Sequence, residues 1–244
     1  MRQRLLAIAE VGFIALFFFS LYRLVGIYFD YKAGDEIYEG AKEYVEANDK
    51  EEEYFFKLDL EGLQSVNKEI VGWIQIPDTP VDYPLLETDN NKYYLKHTYD
   101  DTYSDFGSIF VDCNSTFLDF NTIIYGHNTK NDSMFGSLKH YKHEDYYEKH
   151  PYVYILYGDT EKKYAIIAAL TVEITDPAYQ VNQKDENLQK LWIESLIERS
   201  EVPTLKDTPV TGQEKIITLS TCTSRTKTER FVLIAEEVNT VWER

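Results

Sequence analysis

Residues 216–222 read Ile-Ile-Thr-Leu-Ser-Thr-Cys, a β-branched apolar run that carries a cysteine at its end. A second run of the same kind, Arg230-Phe231-Val232-Leu233, opens after a short polar loop over 223–228. This pattern predicts two strands that lie side by side, with Cys222 and Arg230 at adjacent ends. Short apolar runs of this composition indicate a fold that is mainly β.

Cys222 has two interpretations, and the residues alone leave both open. A free cysteine is often a small buried hydrophobe. A cysteine at a strand end that leads into a polar and basic loop is instead placed to act as a nucleophile. Arg230 poses a similar choice, because most arginines are solvated surface charges. Arg199 and Arg225 are its rivals for the role of a fixed positive charge.

A histidine occupies a comparable position upstream, where Thr122-Ile123-Ile124-Tyr125 leads through Gly126 to His127. The other four histidines lie in polar or charged segments: His97, His140, His143 and His150. An imidazole beside a thiol can take its proton and later protonate a leaving amine. Cys222, His127 and Arg230 together would therefore support acyl transfer through a thioester, and a structural role for His127 is the alternative.

Eight short β-rich runs occupy the chain from about residue 70 onward, separated by Pro, Gly, Asn and Asp. They cover residues 71–77, 81–86, 108–113, 122–125, 152–157, 163–173, 215–219 and 231–238. Many short strands at this spacing predict a closed or nearly closed barrel.

Helices are expected at three places outside these runs. Residues 31–68 have helix-forming composition and predict a two-helix stalk or cap, with the second helix over about 55–67. A short helix is expected over 134–141. Residues 185–199 predict an amphipathic helix that packs on the barrel rim. Its inward face is expected to carry Leu188, Leu191, Trp192, Ser195 and Leu196.

The N-terminus carries an apolar stretch over residues 5–29, interrupted by Glu10 and Arg23. The stretch is long enough to span a bilayer with some tilt. Arg2 and Arg4 precede it and acidic residues follow, so the positive-inside rule predicts a cytoplasmic N-terminus and an extracellular remainder. A cleaved signal peptide and a buried core helix are the alternatives. The lack of a small-x-small site close behind the stretch favours an uncleaved membrane anchor.

Composition excludes several classes of function. A formal net charge of -17 over 244 residues repels phosphate backbones, so no nucleic-acid partner is expected. Two cysteines do not make a disulfide framework. The sequence has no CxxC, HExxH, Walker or GxGxxG pattern, so neither a metal nor another cofactor is expected. The expected organisation is a cytoplasmic tip and membrane anchor over 1–30, a helical stalk over 31–68 and a catalytic barrel over 69–244.

Taken together, these motifs resemble a class B sortase, a membrane-anchored cysteine transpeptidase of Gram-positive bacteria. The matching stretches agree in order and spacing over nearly the whole chain. They are IVGWI at 70–74, GSIFVD at 107–112, NTIIYGHN at 121–128, TLSTC at 218–222 and RFVL at 230–233. The segment over 175–200, with its helix before the cysteine strand, is similar to the insertion that marks class B.

The resemblance implies a closed eight-stranded sortase barrel with Cys222 as nucleophile, His127 as general acid and base, and Arg230 as stabiliser of the substrate or oxyanion. It further implies six residues that line a groove for a sorting motif: Asn91, Leu95, Tyr125, Thr175, Tyr179 and Ser220. Sortases cleave the C-terminal sorting motif of surface proteins after its threonine. They hold the acyl group as a thioester and pass it to an amine of a peptidoglycan precursor or a pilin.

Cys113 departs from the family pattern, since a large apolar residue is expected at the end of the SIFVD strand. A packed small residue is the favoured interpretation, and a redox pairing with Cys222 is the alternative. Two other functions compete with the transpeptidase. A caspase-like cysteine endopeptidase is disfavoured because no Q-A-C-x-G motif occurs and short β runs dominate. A non-enzymatic surface-binding module on a stalk would not need a reactive thiol.

Overall fold

The eight β-rich runs form a closed barrel in the computed structural model, which describes residues 2–46, 57–203, 205–206, 208–223 and 226–238. The strands are β1 (Ile70–Gln75), β2 (Asp82–Leu86), β3 (Ile109–Val111), β4 (Asn121–Tyr125), β5 (Tyr152–Tyr157), β6 (Thr160–Glu173), β7 (Ile216–Cys222) and β8 (Glu229–Val238). Their order around the barrel is β8-β6-β5-β1-β2-β3-β4-β7, and β7 closes on β8. The expectation of a closed, mainly β barrel is confirmed.

Two parallel pairs set the geometry of the barrel. β2 runs parallel to β3, and β4 runs parallel to β7 with Tyr125 opposite Ser220. All other neighbours are antiparallel, including β7 and β8, where Cys222 faces Arg230. The ends of β4 and β7 and the start of β8 therefore meet at one end of the barrel.

The barrel interior is a single apolar core, because inward-facing strand residues are apolar and large. Trp73, Phe110 and Phe231 are among its largest fully buried side chains. A second cluster lies outside the barrel, where Phe120 packs edge to face on Trp192. At about 25 cal/mol per Å² of apolar surface, such burial is the main stabilising contribution to the fold.

Helices lie around the barrel and between its strands. The α-helices are α1 (Arg2–Ala41), α2 (Leu60–Val66), α3 (Glu144–Lys149) and α4 (Glu186–Glu198). Short 3-10 helices cover Lys42–Tyr44, Tyr93–Leu95, Gly136–Lys142 and Pro177–Tyr179. The two-residue strands Val45–Glu46 and Lys57–Leu58 pair with each other beside α2.

The N-terminal apolar stretch and the first half of the expected stalk are one continuous helix, α1. Within the part of the chain that the structure describes, α1 is the one helix long and apolar enough to cross a membrane, a test that a signal sequence also passes. The second stalk helix begins later than expected, at Leu60. Lys57–Leu58 are extended, and Asp59 caps the helix by accepting a hydrogen bond from the Gly62 amide. The expected start near residue 55 lies outside the described residues.

Two of the five residues expected on the inward face of α4, Trp192 and Leu196, are buried, and the other three are exposed. Leu188 and Leu191 are exposed, whereas Trp192, Ile193 and Leu196 are buried against the barrel. The Trp192 side chain fixes which face of the helix turns toward the barrel. Its Nε1–H donates to the Pro177 carbonyl at 2.7 Å, and its ring packs in the second cluster. Ser195 is exposed as well.

The helix expected over 134–141 is a 3-10 helix displaced toward the C-terminus, Gly136–Lys142. Met134 has a φ of 51°, in the left-handed region, so a right-handed helix cannot start there. The Met134 amide instead donates to the Tyr83 hydroxyl at 3.0 Å.

Candidate active site

Cys222 and Arg230 are brought together by the pairing of β7 with β8. They are direct partners in this antiparallel ladder, at the mouth of the loop that joins the two strands. The Cys222 side chain is exposed, and its carbonyl accepts a 2.7 Å hydrogen bond from the Asn128 amide group. Arg230 Nη1 donates to the carbonyls of Lys227 and Glu229 at 2.9 and 3.0 Å. The backbone of the hairpin thus holds the guanidinium of the residue that pairs with Cys222.

His127 reaches the same end of the barrel because β4 and β7 are parallel and in register. The amide of Gly126 donates to the Ser220 carbonyl at 3.1 Å, which extends this pairing just beyond β4. His127 follows at once, and its own carbonyl accepts from the Phe135 amide at 3.0 Å. The structure therefore places His127 at the same end of the barrel as Cys222 and Arg230.

The imidazole of His127 is held on one nitrogen. Nε2 lies 2.9 Å from the Leu95 carbonyl oxygen. A carbonyl only accepts, so this contact assigns the proton to Nε2 and leaves Nδ1 to exchange a proton with a reacting group. Burial lowers the pKa of His127 below its ordinary value, because the charged form loses solvation. The neutral imidazole is therefore favoured near neutral pH.

A cavity of about 620 Å³ lies over these three residues, within the usual range for a ligand site. Of the nine residues expected in the site, eight line it: Cys222, His127, Arg230, Ser220, Tyr125, Asn91, Leu95 and Tyr179. Thr175 is exposed and does not line the cavity. Its neighbour Ile174, which the sequence analysis did not single out, contributes to the wall instead.

One wall of the cavity is organised by Asp112, which sequence reasoning also missed. Its carboxylate is almost fully buried and accepts from Asn91 Nδ2 at 2.6 Å and from the Tyr125 hydroxyl at 2.9 Å. The other carboxylate oxygen accepts from the Asn114 amide at 2.7 Å. Burial, with the nearby Asp112 charge, raises the pKa of Tyr125, so its hydroxyl stays a donor to Asp112. A polar residue just past strand β3 was the available signal.

The opposite wall is formed by the segment before α4. The Tyr179 hydroxyl and Ser220 Oγ are 2.7 Å apart, which connects this segment to β7 two residues before the cysteine. Burial raises the pKa of Tyr179, so the phenol remains protonated. Ile174 and Val181 add apolar surface to this wall. The cavity thus has one hydrogen-bonding wall and one mixed wall, which suits an extended peptide with both polar and apolar side chains.

Cys113 is not packed in the core. Its side chain is exposed, so the expectation of a buried small residue is wrong. The residue lies just past β3, where the chain turns outward and the Cys113 amide donates to Asn91 Oδ1 at 2.9 Å. Both Cys113 and Cys222 are free thiols.

A family model described as the sortase domain matches residues 74–238 of the chain. The chain belongs to the sortase family. Sortase B of Listeria monocytogenes is 36% identical over 187 residues, which cover 73% of this chain and 72% of that protein. A crystal structure of sortase B from B. anthracis has 29% identity and a TM-score of 0.73, and the match covers 86% of this chain and 99% of the other. The Staphylococcus aureus sortase B–substrate complex has 28% identity and a TM-score of 0.68, and covers 74% of this chain and 85% of the other.

These relatives assign the chain to class B within the sortase family. As a class B sortase it is an enzyme, a cysteine transpeptidase that works by acyl transfer. The caspase-like endopeptidase and the non-enzymatic binding module are therefore excluded as descriptions of the chain. The sequence resemblance to a class B sortase is confirmed.

Proposed function

We propose that this sortase cleaves the C-terminal sorting motif of surface proteins after its threonine and transfers the acyl group to an amine. Cys222 is the nucleophile, His127 the general acid and base, and Arg230 the stabiliser of developing negative charge. The observation that carries this proposal is the pairing of β7 with a strand on each side, β8 and β4. Its pairing with β8 sets Cys222 opposite Arg230, and its pairing with β4 sets Ser220 opposite Tyr125, two residues before His127.

The first half-reaction forms a thioester. The Cys222 thiol gives its proton to His127, and the sulfur attacks the carbonyl carbon of the threonine. The C–S bond forms and the C–N bond to the next residue breaks. His127 then protonates the leaving amine. Because Nε2 is engaged by the Leu95 carbonyl, Nδ1 is the atom that carries this proton.

The second half-reaction reverses these steps with a new amine. The acceptor amine attacks the thioester carbon and gives a proton to His127, so a new C–N bond forms as the C–S bond breaks. His127 returns the proton to Cys222. An amine of a peptidoglycan precursor is the acceptor that the family resemblance implies, with a pilin amine as the second candidate.

Arg230 acts through its fixed positive charge. Tetrahedral intermediates in both half-reactions carry an oxyanion, and a guanidinium held beside the thiol stabilises that charge. The two carbonyls that accept from Nη1 orient the group before substrate arrives, so little reorganisation is needed during the reaction. Within the described part of the chain Nη1 is the donor in both of these contacts, and we expect the other guanidinium N–H groups to bind substrate.

The substrate peptide occupies the cavity between the two walls. Asn91, Tyr125 and Leu95 contact it from the Asp112 side, and Ser220 and Tyr179 from the other. The similarity to the S. aureus sortase B–substrate complex supports a peptide in this position. Thr175 is not among the residues that line the cavity, and its neighbour Ile174 takes that place.

The α1 helix is the membrane anchor of this enzyme. Its apolar side chains over residues 13–29 are largely exposed, which suits a lipid environment. Arg2 and Arg4 place the N-terminal tip in the cytoplasm by the positive-inside rule. The anchor over 1–30, the stalk over 31–68 and the catalytic barrel over 69–244 then follow one another outward from the membrane, with the barrel at the extracellular face.

A peptide-library cleavage assay on the full chain in detergent micelles tests the proposal. Wild-type protein should release the C-terminal fragment of a subset of peptides, and an added amine should appear on the product. Cys222→Ala should abolish both reactions and the covalent trapping of a thiol-reactive peptide, while circular dichroism is unchanged. His127→Ala should lose activity by several orders of magnitude, whereas the rival His97→Ala should stay active. Cleavage by Cys222→Ala at the wild-type rate would refute the proposal.

A further inference from the structure

The C-terminal turns of α1, residues 34–41, leave solvent and pack on the barrel domain beside His127. Tyr38 and Ala41 are buried, in contrast to the exposed apolar side chains over 13–29. A Cβ added at Gly34 would collide with the Phe106 ring, so the helix and the loop that carries Phe106 are in close contact there. The end of the anchor helix is thus part of the folded catalytic unit.

Tyr38 makes the central polar contact of these turns. Its hydroxyl donates to the Gly107 carbonyl at 2.6 Å and lies 2.9 Å from Ser108 Oγ. Its ring stacks on Phe106 with a centroid distance of 5.8 Å. Because both the ring and the hydroxyl engage the same three-residue segment, Tyr38 fixes the position of the 106–108 backbone.

That backbone lies against the catalytic imidazole. Gly107 has a φ of +63°, and a Cβ at this position would lie 2.5 Å from His127 Cδ2 and 2.7 Å from the Tyr94 carbonyl oxygen. Only glycine allows this approach in the left-handed region. The Ser108 amide donates to the same Tyr94 carbonyl at 2.9 Å, next to Leu95, whose carbonyl binds His127 Nε2. Two segments therefore enclose the ring, and Tyr38 anchors one of them.

The same turns also reach the segment that follows His127. Asn131 donates to Asp35 Oδ2 at 3.2 Å. The Tyr38 ring packs edge to face on Tyr83 at 5.2 Å, and the Tyr83 hydroxyl accepts from the Met134 amide. The helix end is therefore in contact with the chain on both sides of the imidazole, through the 106–108 segment and through residues 131–134.

We propose that Tyr38 is a positioning residue for His127, and that the end of the membrane anchor is thereby a working part of the active site. Through Gly107 it keeps one edge of the imidazole packed against the 106–108 backbone, which limits the contact of the ring with water. This inference rests on the proposed acid and base role of His127. It assigns α1 a second task beyond membrane attachment.

The enclosure has a consequence that can be measured. Burial is the main cause of the lowered pKa of His127. Lys96 and Asp105 are the charged groups that act on the ring, in opposite directions, and they pair with each other. Release of the 106–108 segment admits water, so the pKa of His127 rises toward its ordinary value near 6.5. A residue with a purely structural role would not change this pKa.

The test is Tyr38→Phe in the full chain in detergent micelles, a variant that keeps the ring and removes the hydroxyl. We expect the acid limb of the kcat/KM profile to move to higher pH and kcat to fall about tenfold, with KM unchanged. Tyr141→Phe is the matched control, because it also removes a buried hydroxyl that donates to a carbonyl, that of His150. The control should keep the wild-type limb.

Two further measurements keep the inference testable if the first variant is unstable. Gly107→Ala leaves Tyr38 intact but forces a methyl group against the ring, and should lower kcat by a larger factor. A proton NMR titration of the full chain, with the His127 signal assigned by its loss in His127→Gln, reads the imidazole pKa directly. An unmoved acid limb and an unmoved titration in Tyr38→Phe overturn the inference. If His127→Ala itself stays active, the proposed function fails instead.

Discussion

The thiol and the guanidinium are held in one way, and the imidazole in another. Cys222 and Arg230 face each other on two hydrogen-bonded strands whose register continues unbroken to Glu236 opposite Ile216. His127 lies beyond its strand, and its ring is held by the Leu95 carbonyl and by the backbone at Gly107. The first arrangement follows from a ladder, the second from loops that belong to distant parts of the chain.

The two arrangements respond differently to substitution. Strand register is cooperative, since a slip of one residue would turn every inward side chain of the strand outward. A change of side chain on β7 or β8 therefore removes a chemical group without moving its partner. Around His127 the contacts are few and separate, so a single change there moves or exposes the ring. We therefore expect a substitution at Cys222 or Arg230 to remove a reacting group. A substitution around the His127 ring should instead change the position and the pKa of the imidazole.

Among variants that keep both the thiol and the imidazole, the largest effect is expected for Arg230→Ala, which removes a group on the strand side. Loss of one preorganised oxyanion contact lowers kcat by about 10²–10³-fold. The melting temperature should change little, because the guanidinium is partly exposed and, among the residues that the structure describes, donates to carbonyls of its own hairpin. Arg230→Lys restores the charge without the planar fork and should recover only part of the rate. Equal rates for the alanine variant and wild type would remove Arg230 from the mechanism.

A smaller effect is expected for Asp112→Asn, which disturbs a cavity wall rather than the reacting groups. The buried carboxylate accepts hydrogen bonds from Asn91, Tyr125 and Asn114. In the asparagine variant the side-chain NH₂ group would face at least one of these donors, and that donor would lose its acceptor. We expect KM for a sorting-motif peptide to rise about tenfold and the free energy of unfolding to fall by about 1–3 kcal/mol. Asp119→Asn is the control, because that carboxylate also accepts in a turn but does not line the cavity. A KM that stays at the wild-type value would contradict a role for this wall in binding.

A still smaller effect concerns stability on the loop side. The pKa of His127 is lowered in the folded state, so between that value and about 6.5 the unfolded chain binds more protons. Stability therefore rises with pH across this window and is lost as the pH falls through it. His127→Gln lacks this contribution and should lose less stability between about pH 7.5 and about pH 5.5.

Thermal unfolding at the two pH values checks this expectation, and a loss of 1 kcal/mol corresponds to about 2–4 °C for a chain of this size. The other titrating groups are common to both proteins, so the difference between them isolates the imidazole. Identical losses in wild type and His127→Gln would show that burial does not disfavour its charged form.

The features that could be predicted from the sequence lie on the strands, and those that could not depend on contacts between distant parts of the chain. The eight strands and their polar tips were predicted within about three residues, because alternation and turn residues are local signals. The inward face of α4 was not predicted correctly, because Leu188 and Leu191 are as apolar as the residues that are buried. The choice between the faces was made by Trp192, whose partners Phe120 and Pro177 are distant in sequence.

The loop side of the site escaped prediction for a related reason. Gly107 opens the GSIFVD stretch, but nothing in the sequence marks it or Tyr38 as part of the site, because their contact joins residues 69 positions apart. Asp112 was visible as a polar residue after a strand, but its partners Asn91 and Tyr125 come from different elements. Such residues are defined by the tertiary contacts they make, so composition and periodicity do not identify them.

The smallest effect is expected for Cys113→Ser. This variant tests whether a position at the end of a strand is by itself enough to make a cysteine catalytic. Cys113 follows β3 as an exposed thiol, much as Cys222 ends β7, but its strand neighbours supply neither an imidazole nor a guanidinium. The substitution should change the free energy of unfolding by less than about 0.5 kcal/mol and leave kcat/KM as in wild type. Mass spectrometry after alkylation of the native protein should find two labels in wild type and one in the variant. A large loss of activity would mean that the Cys113 thiol takes part in the reaction. In that case the pairing with Arg230 would not explain why Cys222 and Cys113 differ in function.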